Sequence, residues 1–487
     1  MATPKSTPRS TVSTTRSARL STGATDRMRE GTLALGTMSA AVVAIVLGVA
    51  CAPGLTPAVS PVPGATVPGA TASLPTVERA ERAGRLSADR MVRVALAGGA
   101  VSAPISATDA WQVDENGGAA LLVRGLGGEA WRIEQRGGLL RLAGDGGDAT
   151  PWRQGPFVAR PVGAAQGPRG TSDAALLQYQ GKRYRGELWF TATDSGVLVV
   201  NRLPVEDYLR GVVPIELGVR GPADRAALEA QAIAARSYTY IRVPAGDGTS
   251  LPSSGWHVVA TVSNQVYGGA DVEHPIVNQA IDATAGLVLR YGGLIVDAPY
   301  SSSCGGRTAS TGEAWRGARD QPYLQPVDDT DQTTGRPYCD ISPRNHWTEE
   351  LDDERLRQTV RRALLAAGAR DPAGSNVTDL RVAERTRSGR IASLTMRTER
   401  GDVSVRASDL RAVFQNARGA ILSSTQFSVE RESRARGALT GVTLRGAGNG
   451  HGVGMCQWGA IGRSRAGQDA RTILRHYYPG TVVGFAD

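Results

Sequence analysis

The chain reads as an α+β protein, mixed and loop-rich: an antiparallel β-rich N-terminal part, an α+β core, and an inserted α+β lobe. Three observations predict it. Short apolar runs alternate with polar residues between glycine and Asp-Gly turns from Met91 to Val200, an alanine-rich run free of Gly and Pro spans Ala226 to Tyr240, and helix and strand patterns recur from Leu351 to Phe414. Sixty glycines against five phenylalanines fit many turns and modest cores better than a helical bundle. A length of 487 residues gives room for roughly two to four domains and a core that needs no staples.

Taken in order, residues 1–51 form a basic, Ser/Thr-rich tail followed by Leu33 to Ala50, which is apolar throughout. This is the pattern of an export signal or membrane anchor, with the basic side cytoplasmic. Leu47-Gly48-Val49-Ala50-Cys51 is similar to a lipoprotein signal; an uncleaved anchor and ordinary cleavage near Ala50 are the alternatives. All three place the remainder outside the cytoplasm, in the cell envelope, with the N-terminal segment as the contact to the membrane. Residues 52–78 form a linker whose Pro, Ala, Thr and Gly content predicts an extended spacer.

The folded region is expected over 79–487. In its β-rich part, 91–200, Leu188-Trp189-Phe190 and Val197 to Val200 should form a hairpin across Asp194-Ser195-Gly196. The core segment, 201–345, holds the alanine-rich helix, a second helix near Ile276 to Ala283, and strands over Gly286 to Tyr291 and Leu294 to Ala298. The inserted lobe, 346–424, holds a charged helix over Leu351 to Ala367, two or three strands within Val377 to Val405, and a short helix over Ala407 to Phe414. The last core segment, 425–487, reads as strand, glycine loop and final helix.

The formal charge of +9 carries little information, because six basic residues lie in the first thirty positions and the rest form no runs interleaved with aromatics. No nucleic-acid footprint results, while an acidic wall polymer would be served as well. Export makes disulfides available to Cys304, Cys339 and Cys456; Cys304 with Cys339 closes the shorter loop, and Cys304 with Cys456 stays open. A zinc site from the three with His451 lacks any CxxC pair, so no metal and no cofactor is assigned.

The residue that stands out is Glu216. Val212, Val213, Pro214, Ile215 and Leu217 surround it in what reads as an apolar turn before the alanine-rich helix, with Pro222 and Asp224 as that helix's first-turn and capping residues. Desolvation there would raise the carboxyl pKa, which suits a general acid. The plainer alternative has Glu216 facing outward or paired with Arg210 or Arg220. Two glycine-rich loops follow: Tyr300 to Thr308, where small residues let the backbone approach a ligand, and Gly446 to Ala460, where His451 and Gln457 stand among glycines. The second loop lacks the βαβ context of a dinucleotide fingerprint.

The ordered segments NRLPVEDYLRGVVPIEL, ALEAQAIAARSYTY, NQVYGG, ATAGLVLRYGGLIVDAPYSSSCGGRT, LSSTQF, GNGHGVGMCQWGAIGRSRAG and ILRHYYPGT resemble the stage II sporulation protein D family, which includes the amidase enhancer LytB. The resemblance covers roughly Val92 to Val483. It implies work on peptidoglycan glycan strands: lytic transglycosylase cleavage between N-acetylmuramic acid and N-acetylglucosamine, leaving a 1,6-anhydro end, with Glu216 as acid and base. It also implies substrate contacts from Tyr300, Ser303 and Arg307, with Arg307 a candidate partner for Glu216, and a groove shaped by His451 and Gln457. Cys304, Cys456 and Asn449 depart from common family residues. The segment Trp256 to Gly269 has His257 and no cysteine, so the zinc of some members is not carried over. Two other functions stand beside the enzyme: a non-catalytic activator of an N-acetylmuramoyl-L-alanine amidase, and a hydrolase built on Cys456 and His451, for which no orienting third group is apparent.

Overall fold

The computed structural model describes residues 90–162, 175–244, 254–370 and 372–486. The apolar segment Leu33 to Ala50, Cys51 and the linker lie outside them. Among the described residues no helix is long and apolar enough to cross a membrane.

Two sheets make the N-terminal part. A seven-stranded sheet has the order 258–259, 91–100, 196–204, 187–193, 157–161, 111–115, 120–125, and a five-stranded sheet the order 139–144, 131–136, 102–107, 177–179, 182–184. Alternation decides what faces inward. In Glu187–Thr193, Leu188 and Phe190 are fully buried while Trp189 points away and carries the Arg93 guanidinium over its ring at 4.3 Å. Ile105, Ile133, Leu140 and Leu142 of the smaller sheet join Val113, Phe157, Phe190 and Val199 of the larger in one core. The hairpin runs Glu187–Thr193 to Gly196–Pro204, with Thr193 opposite Gly196.

That hairpin delivers the chain into helix α1, Val205–Glu216, so the segment read as an apolar turn is helical up to and including Glu216. Gly211 and Pro214 gave the sequence its turn-like look, and each has a local reason. A Cβ at Gly211 would run into the Tyr267 ring. Pro214 lies in the last turn, where it removes a single backbone donor, and Val205, Tyr208, Leu209, Val212 and Val213 are buried along the helix.

Helix α2, Arg225–Tyr240, lies at the centre of the core, with twelve of its sixteen residues buried. Neighbours press on it from several sides: α1, helix α3 (Pro275–Ala283), the strand Leu287–Tyr291, and two late helices described below. Ala227, Ala230, Ala232, Ala234 and Ala235 are fully buried, and their small size is what permits such close approach. Asp224 precedes α2 but makes no side-chain cap; its carboxylate binds Arg465 at 2.7 and 3.0 Å instead.

Two polar groups are sealed in this apolar setting. Arg236 of α2 and Glu206 of α1 form a two-pronged ion pair, 2.8 Å on each side, and the remaining donors of Arg236 reach the Leu287 and Ile281 carbonyls at 3.0 and 3.4 Å. Both side chains are almost wholly excluded from water.

The lobe has its own core. Helices α4 (Asp353–Ala366) and α5 (Ala407–Val413) pack with the strands 377–385, 391–398 and 401–406 and with a second sheet of 346–352, 438–447 and 427–435. This core includes Leu439, Val442 and Leu444, and so runs past residue 424, because His346–Asp352 pairs along its whole length with Gly441–Ala447. The chain then re-enters the main core as helices α6 (Gln457–Arg465) and α7 (Ala470–Tyr477) and a last strand, Val482–Phe485, beside Leu287–Tyr291.

Removing one partner of the α1–α2 ion pair leaves a buried charge unpaired. Arg236→Met is therefore expected to cost about 3–5 kcal/mol of unfolding free energy, and Glu206→Leu added to it to restore part of that loss, as read by denaturant titration.

Candidate functional site

Glu216 closes α1, and its position follows from a strap laid across that helix by residues 264–268. Asn264 accepts the Val259 amide at 2.9 Å and donates to Tyr238 at 3.0 Å. Gln265 receives the Tyr208 and Thr239 hydroxyls on its oxygen at 3.1 and 3.0 Å, and its nitrogen donates to the Ala235 carbonyl and the Tyr300 hydroxyl at 3.3 and 2.9 Å. Tyr267 lies over Gly211 and donates to Asn201 at 2.8 Å, and the Gly268 amide reaches the Gly211 carbonyl at 3.0 Å. Between these anchors the Val266 amide donates to Glu216 Oε1 at 2.8 Å.

The second group on Glu216 comes from the far end of the chain. The Gln457 side chain hydrogen-bonds the carboxylate from the start of α6, and its nitrogen also faces Gln231 of α2 at 3.4 Å. Burial pushes the Glu216 carboxyl above its ordinary value, and the two donors from Val266 and Gln457 pull the other way without cancelling it. The side chain stays half-buried, so solvent or substrate can reach it. Among the described residues no second carboxylate contributes to this shift. Neither arginine of the plainer reading pairs with it. Arg210 binds Asp282 at 2.7 Å, while Arg220 donates to the Leu217 carbonyl at 2.8 Å and lies over the Trp458 ring at 4.7 Å.

Tyr300 and Gln457 are the two loop residues that the fold brings to Glu216. The Tyr300 hydroxyl takes its hydrogen bond from Gln265, and burial together with the nearby Glu216 charge holds it un-ionised. The two glycine loops meet as a short parallel ladder, Tyr300–Ser301 against Met455–Cys456. Gly454 makes that approach possible: its φ is +71°, and a Cβ would strike the Pro299 carbonyl.

The other expected contacts go elsewhere. Ser303 is fully buried, its hydroxyl 2.5 Å from Asn345 Oδ1 and its backbone exchanging two hydrogen bonds with Asn449, so it joins the loops and is shut off from a groove. Arg307 is exposed and sits opposite Asp328, not Glu216. His451 accepts the Val453 amide on Nδ1 at 3.0 Å, donates to the Tyr300 backbone and packs at a tilt against the Trp315 ring, centroids 5.0 Å apart. Burial and the charges of Arg411 and Arg390 lower its pKa to about 4, so it works as a neutral clamp between the loops. Cys456 is buried with its sulfur taking the Cys304 and Gly459 amides, which removes the basis for a Cys456–His451 nucleophile pair.

Gln265, Val266, Gln231 and Trp458 carry weight that residue-by-residue reading did not assign. The signal available was their place in the ordered segments of the family resemblance: Gln265 and Val266 in NQVYGG, Gln231 in ALEAQAIAARSYTY and Trp458 in GNGHGVGMCQWGAIGRSRAG.

Comparisons with known proteins fall on these same segments. The family described as Stage II sporulation protein matches residues 193–291, which hold Glu216, the strap and helices α1 to α3. A domain of unknown function matches residues 339–454, the stretch that contains the lobe. An uncharacterised protein of Brachyspira hyodysenteriae is 30% identical over 313 residues, 64% of this chain and 75% of that protein. The amidase enhancer of Bacillus subtilis is 28% identical, over 65% of this chain and 46% of the longer relative. Stage II sporulation protein D of Bacillus amyloliquefaciens is 27% identical, over 59% of this chain and 76% of its own length.

Gln265 takes the buried Tyr208 hydroxyl, shares the Thr239 hydroxyl with the Ala235 carbonyl, and donates to the Tyr300 hydroxyl. Gln265→Leu is expected to destabilise the fold by about 2–3 kcal/mol in denaturant titration, since it strands the Tyr208 hydroxyl as well as deleting bonds.

Proposed function

Since the chain belongs to the stage II sporulation protein D and amidase enhancer family, with a role at the cell wall, we propose that it is an exported lytic transglycosylase of peptidoglycan glycan strands, with Glu216 as the single acid and base. The observation that carries this reading is one desolvated carboxyl, raised in pKa yet held by two donors and still reachable from solvent.

A raised pKa keeps more of Glu216 protonated than an ordinary glutamate at the same pH, able to donate to the glycosidic oxygen as the bond to the muramic acid anomeric carbon breaks. The resulting carboxylate then takes the proton from the sugar's own 6-hydroxyl as that oxygen attacks the same carbon, which closes the 1,6-anhydro ring. One carboxyl suffices because the nucleophile is intramolecular, whereas two-carboxylate glycosidases need a second to activate water or attack directly. The Val266 and Gln457 donors fix the carboxylate's direction and stabilise the charge formed after donation. The Tyr300 hydroxyl accepts from Gln265, which leaves its own proton available to orient the sugar. Export and attachment to the membrane through residues 1–51 belong to this proposal, since the substrate lies outside the cytoplasm.

The likeness to an amidase enhancer supports a second reading, in which the same surface binds wall glycan and activates a separate N-acetylmuramoyl-L-alanine amidase. Incubation of the full-length chain with glycan strands stripped of stem peptides, followed by mass spectrometry, separates the two. The enzyme reading expects anhydro-ended sugars, lost by about 10²-fold or more in Glu216→Gln, and a rate that falls as pH rises through the Glu216 pKa. Intact glycan, together with faster wall hydrolysis by an added amidase, would reject the enzyme and support the activator.

A further inference from the structure

Behind the two glycine loops lies a cluster that the glycan chemistry does not use. Cys304, Asp329, Cys339 and Cys456 come from four separate stretches of chain, and one donor atom from each lies within 4.8 Å of every other. All four are almost completely buried. We propose that they form a closed structural site for one thiolate-preferring divalent cation, zinc by the chemistry of its donors.

Distances support a shared ion over an ordinary cysteine pair. A tetrahedral ion with metal–sulfur bonds of about 2.3 Å sets its sulfurs about 3.8 Å apart and a sulfur and a carboxylate oxygen about 3.6 Å apart. Cys304 Sγ lies 3.7 Å from Cys339 Sγ and 3.4 Å from Asp329 Oδ2. A disulfide would join two of the sulfurs and leave the third thiol, and the carboxylate oxygen Oδ2 turned toward it, buried without a shared partner.

The surroundings are those of held ligands. Asp329 turns Oδ2 to the cluster because Oδ1 is occupied by Arg463 Nε at 2.9 Å and the Tyr477 hydroxyl at 2.8 Å. Cys456 Sγ receives backbone amides from Cys304 and Gly459 at 3.1 and 3.3 Å, the donors a thiolate accepts.

Charge supplies an independent argument. Arg390 of the lobe is buried, donates from Nη2 to the Cys304 carbonyl at 2.7 Å, and has no hydrogen-bond partner for Nε or Nη1 among the described residues. Glu313 and the three cysteines are the groups that face it, and the cysteines carry negative charge only as thiolates. A guanidinium sealed from water needs compensating charge. A divalent ion with three thiolates and a carboxylate is net negative, so Arg390 and Arg463 would balance it.

The site would act as a staple. Cys304 and Cys456 follow and end the paired loop strands, Cys339 stands just before the lobe begins, and Gln457, next to Cys456, holds Glu216. Four closed ligands leave no open position for a substrate, so the ion would fix geometry and take no part in bond cleavage.

The full-length chain, purified without chelator, should carry about one zinc per chain by elemental analysis. After exchange it should bind cobalt with thiolate-to-cobalt charge-transfer absorption in the near ultraviolet. Cys339→Ser should lower that absorption, and Tyr477→Phe, which keeps every ligand, should weaken cobalt binding by about 10-fold. Failure to take up either metal while the thiols react as free cysteines would overturn the proposal. So would unchanged cobalt absorption in Cys339→Ser, or a disulfide-linked Cys304–Cys339 peptide in a digest of the purified chain.

Discussion

Glu206 and Arg236, a single ion pair closed between two helices, determine where the helix ending in Glu216 can lie. Arg236 sits on the central helix with its guanidinium extended to the carbonyls of Ile281 and Leu287, and Glu206 also accepts the Gly286 amide. Two helices, the end of a third and the first residues of a strand are thereby tied at one point. Buried ion pairs add little net stability compared with apolar replacements, but they exclude alternative packings that would leave a charge unpaired. A slip of α1 along α2 would break this pair, and a slip of one turn would move Glu216 by about 5 Å.

With α1 fixed, the character of Glu216 depends on a balance of two opposed effects. Desolvation favours the protonated acid, and two hydrogen-bond donors favour the carboxylate. An acid–base residue needs both, because it must hold a proton before bond cleavage and tolerate a charge after it. The strap at 264–268 and the start of α6 supply those donors from opposite ends of the fold, and the paired glycine loops bring Tyr300 to the same place.

Much of this frame is legible in the sequence where the physics is local. The hairpin of Leu188-Trp189-Phe190 with Val197 to Val200 follows from the strand runs either side of Asp194-Ser195-Gly196, and the run from Ala226 to Tyr240 has few ways to be other than a helix. Local reading failed where a distant partner supplies the reason. Gly211 and Pro214 look like breakers until Tyr267 is seen filling the space over one and the last helical turn absorbing the other. Ser303 looks exposed in a glycine loop, yet its partner Asn345 is 42 positions away. Asp329 joins three cysteines with no spacing to announce it, and the lobe's core reaches Leu444 because a later strand pairs back onto His346–Asp352. Glu216 stands out through its apolar neighbours and Gln457 through its glycine loop; Val266, and the meeting of Gln457 with Glu216, are evident only in three dimensions.

The central claim is that the fold holds Glu216 as an acid weaker than an ordinary glutamate. Carbon-13 labelling of glutamate side chains and a pH titration followed by NMR tests it, with Glu216→Gln identifying the resonance. The account predicts a carboxyl that titrates above the usual 4.5. The folded state then binds this proton more tightly than the unfolded chain, so stability falls as pH rises between the two pKa values, a fall absent in Glu216→Gln. A Glu216 resonance that titrates at or below the ordinary value would contradict the account.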